Sequence, residues 1–262
     1  MIKDAPPENA NFARAVLPKA NLEGLVAIES DFSQADLASA NLKNAVLRGS
    51  TIKAANLSGA DLSHANLEGA DLSGANLTGA NLTGAKLAGA NLNGARLVDA
   101  DLTGADLSHA RLQRATATRV RLERATLDGS DWFLADLSGA QFTGVSAVMA
   151  RFERAALNGA ILDHVNAPSS ILEFADLRKC VIRNSSLSQA IFVGASLEGA
   201  VAVECDLRSA DFFWTDMNAF TTSRCELKGA RLPEQVQISY SPRRISAPAS
   251  NAAVLYRVAD DY

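Results

Sequence analysis

The sequence predicts an all-β fold, a four-sided solenoid of about 11 stacked coils, and three observations predict it. The first is a five-residue register. A centre position, most often Leu or Phe, falls at every residue number ending in 2 or 7 from Phe12 to Leu232, making 45 consecutive units without an insertion or deletion. The second is the alphabet of the unit: a small residue, a polar or acidic residue, the centre, then two tolerant positions. Ala60-Asp61-Leu62-Ser63-His64 and Ala75-Asn76-Leu77-Thr78-Gly79 are examples. The third is that all 17 glycines lie at numbers ending in 4 or 9, two residues after a centre.

A period of five matches neither the 3.6 of a helix nor the 2 of a strand, so no single helix or sheet face accommodates it. A backbone that turns a corner in every unit does. The small residue and the centre then point inward, and the other three point outward. Four units close a square and residues 20 apart stack, at ~4.8 Å if the coils pair as parallel strands. The resulting rod is on the order of 50 Å long. The glycines fit the second central position of a type II turn, which requires φ > 0. Gly69, Gly74, Gly79, Gly84, Gly89 and Gly94 predict a run of such corners, and the scarcity of glycine beyond Gly104 predicts more varied turns in the C-terminal half.

The A(D/N)LxG units, densest over Ala55–Gly104, resemble the pentapeptide-repeat family, and the resemblance covers residues 10–232. It implies a right-handed quadrilateral parallel β-helix. Residues 1–9 and 233–262 leave the register and are read as an N-terminal cap segment and a C-terminal capping tail. The tail contains Pro233, Pro242 and Pro248 and an apolar segment, Ala252-Ala253-Val254-Leu255-Tyr256. The family hosts several roles. The resemblance implies a non-enzymatic interaction scaffold, such as an accessory protein of a bacterial type VI secretion assembly. It alternatively implies a DNA-mimicking binder of DNA gyrase or topoisomerase IV, of the kind that dimerises through C-terminal coils and confers quinolone or toxin resistance.

Composition narrows the chemistry. A net charge of −4 is mild for a mimic of a duplex carrying one charge per ~1.7 Å. No apolar run approaches the roughly 20 residues of a membrane span, and the first residues lack a signal-peptide h-region, so a cytoplasmic location is expected. His64, His109 and His164 occupy separate outward corners and cannot assemble a metal site. The carboxylates preceding the centres, Asp61, Asp71, Asp101, Asp106, Asp131 and Asp136 among them, repeat as scaffold along a convex rod with no cleft for acid–base catalysis. Asn76, Asn81 and Asn91 are expected to hydrogen-bond between coils. No catalytic, cofactor-binding or metal residue is assigned. Cys180, Cys205 and Cys225 sit at small inward positions as substitutes for Ala or Ser, with a Cys205–Cys225 disulfide as the alternative.

Sorting the centres by 20 separates four walls. One wall collects Phe12, Phe32, Trp132, Phe152, Phe192 and Phe212, with small centres such as Ala117, Ala147, Ala202 and Thr222 elsewhere making room. The informative irregularities are outward and apolar. Phe133, Leu134, Ile171, Phe174, Ile191, Val193, Phe213 and Trp214 fall on that same wall, and Ile161, Val181 and Val201 form a second stripe opposite. Contiguous exposed apolar surface marks a contact. Its occupant is expected to be the tail, a second copy in a homodimer through the C-terminal coils, or another protein. Arg111, Arg114, Arg119, Arg121 and Arg124 form a basic belt with only Glu123 opposing it locally. An acidic partner is the functional reading of the belt, and direct nucleic-acid binding is disfavoured because no aromatics interleave with it.

Overall fold

The computed structural model describes residues 9–233, so the two terminal segments, apart from Asn9 and Pro233, lie outside the described residues. The chain winds as a parallel β-solenoid. Single-residue bridges join each unit to the unit 20 residues on, as in Asn11↔Asp31, Val16↔Asp36, Asn21↔Asn41 and Val26↔Val46. Four bridges per coil define four walls, and the ladder continues to Asp211↔Arg231, about 11 coils in all.

One unit shows why the pattern closes. The Asp61 amide donates to Ala40 O of the preceding coil at 2.9 Å; Leu62 and His64 donate to Asn81 O and Thr83 O of the next coil at 2.7 and 2.9 Å. The Ala65 amide closes the turn on Leu62 O at 3.0 Å. That leaves the Ser63 amide, which the carboxylate of Asp61 accepts at 2.9 Å. Where an aspartate or asparagine precedes the centre, it supplies the acceptor that neither the coil ladder nor the turn provides, as Asp31, Asp71, Asp101 and Asp136 also do. The same oxygen also accepts from the next coil: Asn81 Nδ2 reaches Asp61 Oδ1 at 3.1 Å, and Asn91 Nδ2 reaches Asp71 Oδ1 at 3.1 Å. The inter-coil asparagine contacts are present, and the local turn contact is a second role that the repeat pattern alone did not reveal.

Inside, the Leu and Ala positions are almost fully buried from Leu22 to Ala210, and Trp132, Phe32, Phe192 and Phe212 are the largest enclosed side chains. Phe12 stacks on Phe32, and Phe192 on Phe212, with ring centroids 4.7 Å apart in both pairs, the coil spacing written in aromatic rings. Trp132 places its Nε1 on Ser130 Oγ at 2.9 Å, and that hydroxyl donates to Leu127 O at 2.6 Å. A cavity of about 20 Å³ lies between Phe142, Phe152, Leu162 and Leu172, where the centres Ala147 and Ala167 are small.

Every corner carries positive φ: all 17 glycines, and 28 non-glycine residues at the equivalent position between Asn9 and Arg224. The scarcity of glycine after Gly104 thus does not abolish the left-handed corner residue; Arg114, Leu134, Phe174 and Trp214 adopt φ of 56–58°. Turn variety does arise, but on one wall. There the chain forms three-residue strands, β1 (Gln141–Thr143), β2 (Ile161–Asp163), β3 (Val181–Arg183), β4 (Val201–Val203) and β5 (Thr221–Ser223), paired parallel in that order. It begins where the inward small position becomes Val145, behind the bulky centre Phe142. The corner opens and its turn hydrogen bond is replaced: the Val165 amide donates to Ser185 Oγ at 3.0 Å.

Two predictions follow from this packing. The Ser170 hydroxyl is buried, has no hydrogen-bond partner and lines the small cavity. Ser170→Ala is expected to raise stability by ~1 kcal/mol, because an orphan polar group is removed; thermal unfolding by circular dichroism measures it, and a loss of stability would mean the hydroxyl is satisfied. The second concerns pH. The Ser33 hydroxyl and amide hold Asp31 below the usual carboxylate range, and the Arg178 guanidinium does the same for Asp176. A depressed folded-state pKa contributes stability that is complete above the unfolded value and lost as pH falls through the folded one. The melting temperature is therefore expected to hold between neutral pH and about 5, and to fall below about 4. Constant melting down to pH 2 would contradict this role for the aspartates.

Candidate functional site

The outward face of the first wall, the wall of Trp132, Phe192 and Phe212, carries the concentration of exposed apolar side chains. Trp214 is 72% exposed, Phe174 52% and Leu134 40%. Phe133, Ile171, Ile191, Val193 and Phe213 are half-buried around them. The corner that bears these residues runs along the rod axis as Arg114, Leu134, Arg154, Phe174, Gly194, Trp214, one residue per coil.

The register brings only part of the set together. Ile171 pairs with Ile191 in adjacent coils, and Val193 lies one coil before Phe213. With Phe174 and Trp214 they form one continuous patch. Phe133 and Leu134 are set apart from it by the charged coil between, where Arg151 bonds Glu153 at 2.8 Å and approaches Asp131 at 3.8 Å. The second stripe, Ile161, Val181 and Val201, is the outer face of β2, β3 and β4, in direct register.

Local chemistry shapes the patch. Phe133 and Phe213 each follow an aspartate whose carboxylate accepts their amide, at 3.0 and 2.9 Å. Ile171 and Ile191 replace that aspartate, so among the described residues the amides of Glu173 and Val193 have no side-chain acceptor. Phe213 and Trp214 stack at 4.8 Å between centroids, and the Arg231 guanidinium lies 3.9 Å from the centroid of Phe213. Arg154 lies 5.5 Å from the centroid of Phe174. The Phe174 ring itself lies on Gly194, where an added Cβ would come within 2.5 Å of Cε1. The platform is thus aromatic in the middle and cationic at both ends.

The basic belt resolves differently from its sequence. Arg119 makes a two-point contact with Asp99 at 2.7 Å, Arg121 pairs with Asp101 at 3.3 Å and Arg124 with Glu123 at 3.9 Å. Asp99 and Asp101 oppose the belt from the preceding coil, so Glu123 is not its only counter-charge; looking 20 residues upstream would have found them. Arg111 and Arg114 have no ion-pair partner among the described residues, and both lie on the first wall next to Leu134.

Elsewhere little chemistry is assembled. Among the described residues no group of three His, Cys, Asp or Glu side chains could hold a metal ion. His64 and His109 lie over Gly84 and Gly129, and His164 bonds Asp163 at 2.9 Å. The three cysteines are free. Burial pushes the Cys180 thiol up to about 12, and a hydrogen bond between the stacked Cys205 and Cys225 thiols raises Cys225 and lowers Cys205. No helix among the described residues is long and apolar enough to cross a membrane.

A solenoid of 20-residue coils with this unit defines a class, the repeat proteins that act as rods with patterned faces. The Pentapeptide repeats family matches in eight copies, spanning residues 19–53, 30–69, 55–94, 95–131, 135–173, 150–184 and 180–218. The chain belongs to that family. Among solved structures it is similar to a trypsin-treated variant of QnrB1, a plasmid-mediated fluoroquinolone resistance protein: 21% identity, TM-score 0.54, covering 62% of this chain and 85% of that one. It is also similar to HetL, a protein involved in heterocyst differentiation regulation from the cyanobacterium Nostoc sp. strain PCC 7120, at 28% identity and TM-score 0.36, covering 88% of this chain and 93% of that one. A third is a pentapeptide repeat protein from the Arabidopsis thaliana thylakoid lumen, 38% identical with TM-score 0.32, covering 40% of this chain and 67% of that one. No curated protein matches.

Gly194→Ala tests the Phe174 contact. It places a Cβ on a residue at φ +68° and against the ring. The expected loss is about 1 kcal/mol from the left-handed backbone alone, with a further loss that disappears in a Phe174→Ser background. Equal losses in both backgrounds, measured by denaturant unfolding, would show that the ring does not rest there.

Proposed function

We propose that the protein is a non-enzymatic interaction scaffold that binds a protein partner through the first-wall corner of its C-terminal coils. The observation that carries this reading is the aromatic platform of Phe174, Phe213 and Trp214, held outward on a rigid rod beside Arg154 and Arg231. A monomer has no packing reason to expose such side chains together, and aromatic residues flanked by arginine are what dominate binding energy at protein interfaces. The setting is a multiprotein assembly such as type VI secretion machinery, which the family resemblance alone supports.

The second reading is a topoisomerase-binding DNA mimic, supported by a fold shared with a fluoroquinolone resistance protein. The distribution of charge favours it less. The arginines of the C-terminal half pair with aspartates coil after coil, as in Arg178–Asp176 at 2.6 Å and Arg208–Asp206 at 2.7 Å, and this neutralises the faces a mimic would keep acidic.

Trp214→Glu and Phe174→Glu are expected to leave thermal unfolding nearly unchanged and to weaken the partner complex, recovered by crosslinking in the source cells, by about 2 kcal/mol or more. Recovery of the same complex by both variants would refute the corner as the binding surface. Addition to a gyrase supercoiling assay separates the two readings: inhibition, or protection from a quinolone, at micromolar protein would favour the mimic over the scaffold.

A further inference from the structure

We propose that the first wall is the face on which two copies of this chain pair side by side and antiparallel, about a two-fold axis that crosses the wall between Ile171 and Ile191. The inference rests on the reading of this corner as an interaction surface and names its partner as a second copy.

The residue before each centre forms an outward column along the wall. Over six coils, each bridged to the next, the column reads Asp131, Arg151, Ile171, Ile191, Asp211, Arg231. A two-fold axis lying in the interface and perpendicular to the rod reverses the order of the coils and keeps each column facing itself. Placed between Ile171 and Ile191, it sets Ile171 against the second copy's Ile191, Arg151 against its Asp211 and Asp131 against its Arg231. Each pair is made twice. The column is therefore its own complement, apolar at the centre and opposite in charge outward on both sides. Over residues 131–231 the other three outward columns contain no cationic residue, so none of them offers such pairs.

The corner column agrees. The same axis sets Arg154 against the second copy's Trp214, a cation–π pairing. It brings the two Phe174 rings together, because each ring lies on its own Gly194 and so sits over the axis. Glu153 falls opposite Phe213 and the Arg231 guanidinium that covers it. Glu173, opposite Val193, is the one carboxylate that this docking leaves without a counterpart. Within one rod the column charges are only loosely engaged with one another. Arg151 is 3.8 Å from Asp131 and Arg231 is 3.5 Å from Asp211, longer than the roughly 2.7–2.9 Å of a hydrogen-bonded charge pair. Arg151 also holds Glu153 at 2.8 Å, and its guanidinium keeps donors for a second carboxylate. An overlap of five coil steps, about 24 Å, is short for an interface, so the dimer is expected to form at micromolar concentration rather than below it.

Sedimentation equilibrium over a range of concentrations tests this, with circular dichroism confirming that each variant keeps its fold. The unaltered chain is expected to pass from monomer to dimer mass. R151D and D211R, each alone, place two like-charge pairs in the seam and are expected to weaken self-association by about ten-fold or more. An equimolar mixture of these two proteins is the decisive sample. In the mixed dimer both pairs are again opposite in sign, so association is expected to return to within a few-fold of the native strength. R231D leaves every turn acceptor in place, probes the outer pair, and is expected to weaken self-association as well. A monomer at every concentration overturns the proposal. So does self-association that R151D, D211R and R231D leave unchanged, or that the mixture fails to restore. A monomeric chain whose source-cell complex is still lost in F174E sinks the dimer and leaves the scaffold reading standing. A dimer and a source-cell complex that both survive F174E sink both.

Discussion

Every other feature of this protein depends on satisfying the backbone amides from coil to coil. In each unit parallel stacking supplies partners for three amides and the turn for a fourth, and in units such as that of Asp61 the aspartate or asparagine before the centre accepts the fifth. The arrangement works only if each unit meets its equivalent 20 residues away, because a shift of one residue would misplace donors, acceptors and the inward side chains together. An inserted residue that stayed within the coil would shift every later unit out of register with the coil before it. The 45 units of this chain accordingly vary in residue and keep the count.

The same constraint explains where function can reside. Inward positions are committed to a core of leucine and alanine, with the aromatics stacked at the coil spacing. An aspartate or asparagine before a centre is committed to its turn. The two corner residues of each unit carry neither duty, and the left-handed backbone of the second is imposed by the coil whether the residue is glycine or tryptophan. A corner residue that is large and apolar, such as Phe174 or Trp214, accepts strain and exposure together, and neither benefits the rod. The replacement of aspartate by Ile171 and Ile191 points the same way, because it removes the turn acceptor at the coils where the patch is continuous.

Electrostatics on such a rod is a matter of columns. Charges far apart in sequence become neighbours at the coil spacing, and Arg119 on Asp99 and Arg231 on Asp211 are examples. Exposed pairs of this kind contribute modestly to stability. Among the described residues Arg111, Arg114 and Arg154 make no ion pair, and they lie on the wall that also carries the aromatics.

Residue order alone specified the solenoid, its four walls, the inward and outward positions and the wall on which Phe133, Leu134, Phe174, Phe213 and Trp214 fall, because a strict period converts directly into geometry. It also foretold positive φ at glycine corners, yet not that Arg114 or Leu134 would be forced into the same conformation, since local preference is overridden by the hydrogen bonds of the neighbouring coils. Tertiary stacking settled the rest. It paired Arg119 and Arg121 of the Arg111–Arg124 belt with aspartates one coil away, and it separated Phe133 and Leu134 from the main patch by the Arg151–Glu153 pair. It also laid Phe174 across Gly194. These outcomes depend on side-chain contacts across 20 residues, where the identity of both partners and their rotamers, rather than the period, decides which groups meet.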